Sequence, residues 1–178
     1  VGVGYLGLWR DIKAGDRLVL DDGMIVMDVE SIADEQVHCR VVLGGRLSDR
    51  KGINRQGGGL TVDALSDKDR RDIALAAELG VEFLAVSFVK NAADVERARS
   101  LLREAGGDAA IVAKIERAEA IVTLGEIIDA SDVVMVARGD LGVEIGDAEL
   151  PGLQKKIIRE SLERSRVVIT ATQMMQSM

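Results

Sequence analysis

From residue 60 onward, short runs of uninterrupted apolar residues alternate with amphipathic segments, and nothing else in the chain limits its fold so tightly. Phe83 to Val89, Ala110 to Ile115, Asp132 to Ala137 and Val167 to Thr170 read as strands apolar on both faces. Such strands belong to a parallel sheet covered by helices, because an antiparallel sheet with one wet face would alternate polar and apolar residues. The intervening segments have helical period and helical punctuation. Ser66 with Asp69 forms a capping box ahead of Ile73, Ala76, Ala77 and Leu79, and Gly80 offers a C-terminal stop. Asn91 with Asp94 opens a second helix bearing Val95, Ala98 and Leu102 on one side, ended by Gly106. A third runs from Ala118 to Ile128, and Ile157, Ile158 and Leu162 mark a fourth. There is no GxGxxG after the first strand and no Walker phosphate loop, so the dinucleotide and P-loop architectures lose support. The pattern predicts an α/β fold, a partial (β/α)8 barrel with about four of the eight strands.

Before residue 52 the pattern differs. Arg17 to Leu20 meets the turn Asp21-Asp22-Gly23, Met24 to Val29 follows, and after a polar break at Asp34-Glu35 comes Val37 to Leu43. This predicts a small antiparallel β-domain over residues 1–54, with a partial barrel over 55–178 and Asn54 to Gly59 as a flexible junction. Aromatic residues are only 2% of the chain, so both cores must be aliphatic. A net charge of −7 argues against a nucleic-acid partner, while leaving room for small anions that need a few well-placed cations. The single cysteine, Cys39, allows no internal disulfide and fits a reducing, cytoplasmic setting; with His38 the only histidine, thiolate and imidazole chemistry both lose ground. No apolar run approaches the length that spans a bilayer, so no membrane partner is expected. The start at Val1 carries neither an initiator Met nor a basic leader, and the two ends read as interior to a longer polypeptide.

Barrels of this kind carry their chemistry at the C-terminal rims of the strands. The second parallel strand ends in Lys114-Ile115-Glu116, and alternation puts Lys114 and Glu116 on one face. The third ends in Ala137-Arg138-Gly139-Asp140, and the fourth in Thr172-Gln173. Glu116 and Asp140 are separated by about one strand–helix unit, so their carboxylates can converge. Magnesium favours hard oxygen ligands and often takes one or two carboxylates, leaving its other positions to water and substrate. Lys114 adds a positive point charge where a phosphoryl group would pass. Gly139 admits close approach of the backbone, and Leu141 to Glu144 can begin a short helix with free amides. Each piece alone has a plainer explanation. Lys-x-Glu at a strand end is commonly a solvated surface pair, Arg-Gly-Asp a turn, Thr172 a local backbone partner, and Met174, Met175 and Met178 core filler. The specific signal is that successive rims end in compatible groups.

Ile111 to Glu116, Val133 to Glu144 and Ile169 to Met178 resemble the lysine–glutamate strand, the metal and substrate loop and the threonine-bearing strand end of the pyruvate kinase family. Lys51-Gly52-Ile53-Asn54 resembles that family's return from its mobile lid into the barrel, and Leu20 to Gly23 a lid turn. The resemblance implies a partial TIM barrel with an inserted small β-barrel lid domain. It also implies phosphoryl transfer from phosphoenolpyruvate to ADP, giving pyruvate and ATP in glycolysis. Glu116 and Asp140 would hold Mg2+ or Mn2+, and Lys114 would be the catalytic cation stabilising the migrating phosphoryl group and the enolate oxygen. Gly139, Asp140 and Thr172 would bind the substrate carboxylate, and Lys51 the terminal nucleotide phosphate. The resemblance further implies a homotetramer in the full-length parent and a K+ requirement met by residues of early barrel strands. Those strands, a last strand and a regulatory domain are not in this stretch, so residues 1–178 alone are expected to turn over little.

Two other readings remain at this point. A magnesium-dependent 2-oxo acid aldolase or lyase would use a similar Glu–Asp pair, but has no need of a nucleotide lid bearing Lys51. A non-catalytic remnant would keep the fold without the activity, against which the retention of Lys114, Glu116 and Asp140 speaks.

Overall fold

The computed structural model describes residues 1–171, which form two four-stranded sheets. The first contains β1 (Arg17–Leu20), β2 (Ile25–Ala33), β3 (Gln36–Leu43) and β4 (Ile53–Arg55), in the order β3-β2-β1-β4 with every pairing antiparallel. A short helix, α1 (Leu8–Asp11), precedes it and adds Leu8 to a small core with Ile12, Leu18, Leu20, Ile25 and Val29. The β2–β3 connection places Asp34 and Glu35 at φ of 50° and 62°, the left-handed pair that matches the twist of a tight hairpin. The β1–β2 turn uses Asp21 and Asp22, both at φ 52°, and is closed by the Met24 amide donating to the Asp21 carbonyl at 3.0 Å.

Asn54 and Arg55, expected in a flexible junction, instead lie in β4. Leu20 faces Ile53 and Leu18 faces Arg55, and the Gln56 amide continues the ladder by donating to the Arg17 carbonyl at 3.0 Å. The free edge of β1 supplies the pairing that a glycine-weighted reading of this stretch overlooks.

The second sheet is parallel, in the order β5-β6-β7-β8, from β5 (Phe83–Val86), β6 (Ala110–Ile115), β7 (Val133–Val136) and β8 (Val167–Thr170). Helices α2 (Asp67–Leu79), α3 (Ala92–Glu104), α4 (Ala118–Val122), α5 (Leu124–Ala130), α6 (Arg138–Ile145) and α7 (Leu150–Glu163) connect and cover its strands. The core is aliphatic: Ile111, Ile115, Ile127, Ile128, Val134 and Ile157 are fully enclosed. The capping box at Ser66–Asp69 forms, and Gly80 ends α2 in the left-handed conformation. Asn91 caps α3 by accepting from the Asp94 amide at 3.2 Å.

Three expectations need correction. The third helix is two, broken at Thr123, whose hydroxyl donates to the Lys90 carbonyl at 2.9 Å rather than leaving the helical path undisturbed. The first parallel strand stops at Val86, because Phe88 has φ 55° and cannot continue an extended chain. Arg138, Gly139 and Asp140 do not form a loop before a helix; they are the first turn of α6 itself. No helix among the described residues is long and apolar enough to cross a membrane.

Candidate active site

The rim of the parallel sheet carries Lys114 and Glu116 at the end of β6 and Asp140 after the adjacent strand β7, through backbone alternation and strand register. Lys114 and Glu116 project from the same side at the end of β6, and the Lys114 ammonium lies 2.6 Å from Glu116 Oε1. This is no solvated surface pair, because the Glu116 side chain is only 1% exposed. Its other oxygen, Oε2, accepts from the Phe88 backbone amide at 2.6 Å. Lys114 also donates to Ser87 Oγ at 3.1 Å. Two groups from the end of β5 therefore hold the pair in place.

Asp140 reaches the same region from the next strand. The Ala137 amide donates to the Ile115 carbonyl at 3.2 Å, which carries the β6–β7 pairing to the point where α6 begins. Asp140 then sits in the first turn of that helix, where a negative charge is favoured by the unpaired amides. Electrostatic coupling joins the three groups. Burial pushes Glu116 above the usual carboxylate range, offset in part by Lys114 and the Phe88 amide, and Asp140 adds to the rise. Burial likewise pushes Asp140 up, followed by repulsion from Asp22, with Lys114 and the Asn54 side chain acting the other way.

The antiparallel sheet is drawn in by its β1–β2 turn and by β4. Asp22 is near enough to act on Asp140, and Asn54 stands beside it. Lys51, just ahead of β4, is engaged by Asp21 of that turn, with its ammonium 2.8 Å from Asp21 Oδ1. Lys51 thus belongs to the same end of the molecule while its charge faces an internal partner. Gly139 lies between Arg138 and Asp140 in the helical turn. Thr172 lies outside the described residues, as do Met174, Met175 and Met178.

Several residues of the site escape a reading of the sequence. Phe88 contributes a backbone amide, which no residue type announces; its strained φ is the only mark of its role, visible only in three dimensions. Ser87 was hidden inside an expected strand, although a polar residue closing the first parallel strand is a rim signal like the others. Glu144 carries a buried side chain that accepts from the Ala118 amide at 2.8 Å, where α4 begins. Its position one helical turn after Asp140 gives it away once α6 is known to start at Arg138.

The family model described as "Pyruvate kinase, barrel domain" matches residues 1–178. The chain is 54% identical to pyruvate kinase of Buchnera aphidicola subsp. Acyrthosiphon pisum over 181 aligned residues, covering 100% of this chain and 38% of that protein. Against pyruvate kinase of Haemophilus influenzae the identity is 55%, with the same coverage of 100% and 38%. Against that of Mycobacterium tuberculosis it is 44% over 178 residues, again covering 100% and 38%. The chain thus spans 38% of the length of these curated relatives. With a family-model match along its whole length and relatives 44–55% identical across all of it, this chain belongs to the pyruvate kinase family.

Proposed function

We propose that the protein of which these residues form part transfers a phosphoryl group from phosphoenolpyruvate to ADP. The observation that carries this reading is the enclosure of Glu116, 1% exposed, against Lys114 at 2.6 Å at the end of β6, with Asp140 in the first turn of the helix that follows the adjacent strand β7. The bond from phosphorus to the enol oxygen breaks, a bond from phosphorus to a terminal ADP oxygen forms, and protonation of the enolate gives pyruvate.

The donor set suits a hard divalent cation. Two carboxylates pushed up by burial converge without imidazole or thiolate, which fits Mg2+ or Mn2+ better than a softer ion. Glu116 and Asp140 would hold it, and when bound it would neutralise the anionic oxygens that must meet. The chain's own groups do the rest. Lys114 keeps a fixed ammonium beside the reacting phosphoryl group, held by Ser87 and by Glu116. The first turn of α6 directs amides at Gly139 and Asp140 toward a carboxylate. Thr172 would complete that subsite. Lys51, released from Asp21, would meet the nucleotide's terminal phosphate. On this reading the antiparallel sheet is the lid over residues 1–54 and the parallel sheet is part of a TIM barrel. A K+ requirement, a homotetramer and a cytoplasmic setting for the complete protein come with the same reading.

Replacing Lys114 by Met removes the charge and keeps most of the side chain's bulk. In the complete protein, Lys114→Met is expected to lower kcat for pyruvate release by about an order of magnitude or more, with divalent-cation affinity retained. An unchanged kcat would remove Lys114 from the reaction.

A further inference from the structure

We propose that Glu119 is a positioning residue for nucleotide handling: it clamps the glycine segment 57–59 to α4 and thereby sets where Lys51 and Asn54 stand relative to Asp140. The proposal rests on the nucleotide role given to Lys51 above.

The clamp has several independent ties. The Gly59 amide donates to Glu119 Oε1. Arg117 grips the same carboxylate, with Nη2 at 2.9 Å from Oε1 and Nε at 3.2 Å from Oε2. From there Arg117 Nη2 also donates to the Leu60 carbonyl at 2.8 Å, so one guanidinium spans both sides of the junction. On the other flank the Gly57 amide donates to the Glu144 carbonyl at 2.9 Å, while the Glu144 carboxylate accepts from Ala118. Arg117 is only 4% exposed and anchors the clamp from inside, while the Glu119 side chain is 33% exposed and Gly57 and Gly59 lie at the surface.

The glycines are part of the fit. All three have positive φ, at 85°, 76° and 93°. A Cβ on Gly58 would lie 2.7 Å from Glu119 Oε2, inside van der Waals contact, so the carboxylate comes as close as it does because that position has no side chain. Immediately upstream is β4, hydrogen-bonded to β1 and carrying Asn54 beside Asp140. Immediately upstream of Arg117 is Glu116. The clamp therefore ties the return of the antiparallel sheet to the segment that carries the buried carboxylate, and a loosened clamp shifts Lys51 and Asn54 while β6 stays put.

The test uses the complete protein. Glu119→Ala is expected to raise the KM for ADP roughly fivefold, with the KM for phosphoenolpyruvate moving by less than about twofold. Glu119→Gln keeps an acceptor for the Gly59 amide and is expected to recover most of that loss. Because Glu119→Ala leaves the Arg117 guanidinium without its carboxylate, Glu119→Asp serves as the second variant. It keeps a negative charge for Arg117 but is too short to hold the Gly59 amide as well, so it is expected to reproduce the KM split. Hydrogen exchange without any ligand gives a separate readout: amides of 57–60 should exchange faster in either variant while those of β6 stay protected. Unchanged exchange at 57–60 overturns the clamp whatever the substrate. Faster exchange with ADP and phosphoenolpyruvate KM values affected equally, or not at all, overturns the positioning role. Absence of ADP-dependent turnover in the wild type would instead defeat the functional reading and leave the exchange result standing.

Discussion

At the scale of single residues, the molecule repeatedly puts a carboxylate where backbone amides and a guanidinium converge. Asp132, at the start of β7, accepts from the Ile111 amide at 2.8 Å and pairs with Arg99 at 2.8 Å. Burial pushes Asp132 up, but the Ile111 amide and Arg99 more than offset it, so its carboxyl lies below the usual carboxylate range. A depressed folded pKa adds stability that is present above the unfolded value and disappears as pH falls through the folded one. Asp132→Asn is therefore expected to cost about 1 kcal/mol at neutral pH, a modest figure because the site is partly exposed to solvent. The deficit should shrink toward zero as pH drops through and below the ordinary carboxylate range, in denaturant melts run as a function of pH. A deficit independent of pH would show that the amide contact, not the charge, matters there.

At the scale of elements, what sequence could reveal depended on how local the cause is. The α2 cap is entirely local: the Ser66 side chain accepts from the Asp69 amide, the Asp69 carboxylate accepts from the Ser66 amide at 2.8 Å, and four residues suffice to write it. Ser66→Ala is expected to destabilise α2 by about 1 kcal/mol, read as faster hydrogen exchange in its first turn. The parallel strands are legible for a related reason, since burial on both faces leaves an unbroken apolar run. Where the cause is distant, local reading fails. The helix break at Thr123 goes with a hydrogen bond from its hydroxyl to the Lys90 carbonyl, and β4 pairs with the edge of β1. The same division runs through the candidate site. Lys114 and Glu116 were visible by alternation and Asp140 by its place after the next strand. The amide of Phe88, the turn residue Asp22 and the Glu119 clamp act across the chain and left no pattern in it.

At the scale of the whole molecule, among the described residues β4 touches α6, and the glycine segment reaches α6 through the Glu144 carbonyl and α4 through Glu119. On the proposed function, Lys114, Glu116 and Asp140 act from the parallel side and Lys51 from the antiparallel side, which makes that junction as important as either sheet. Among the described residues the outer strands of the parallel sheet are β5 and β8, where Phe83 is 61% and Val167 63% exposed; on the proposed barrel reading, further strands would cover that apolar surface. The central proposal concerns two side chains: Glu116 at the end of β6 and Asp140 in the first turn of α6 form one divalent-cation site. Calorimetric titration of Mn2+ into the complete protein tests it most directly, comparing wild type with Glu116→Gln. The account predicts that the variant binds at least about tenfold more weakly; equal affinity in the two proteins would contradict it.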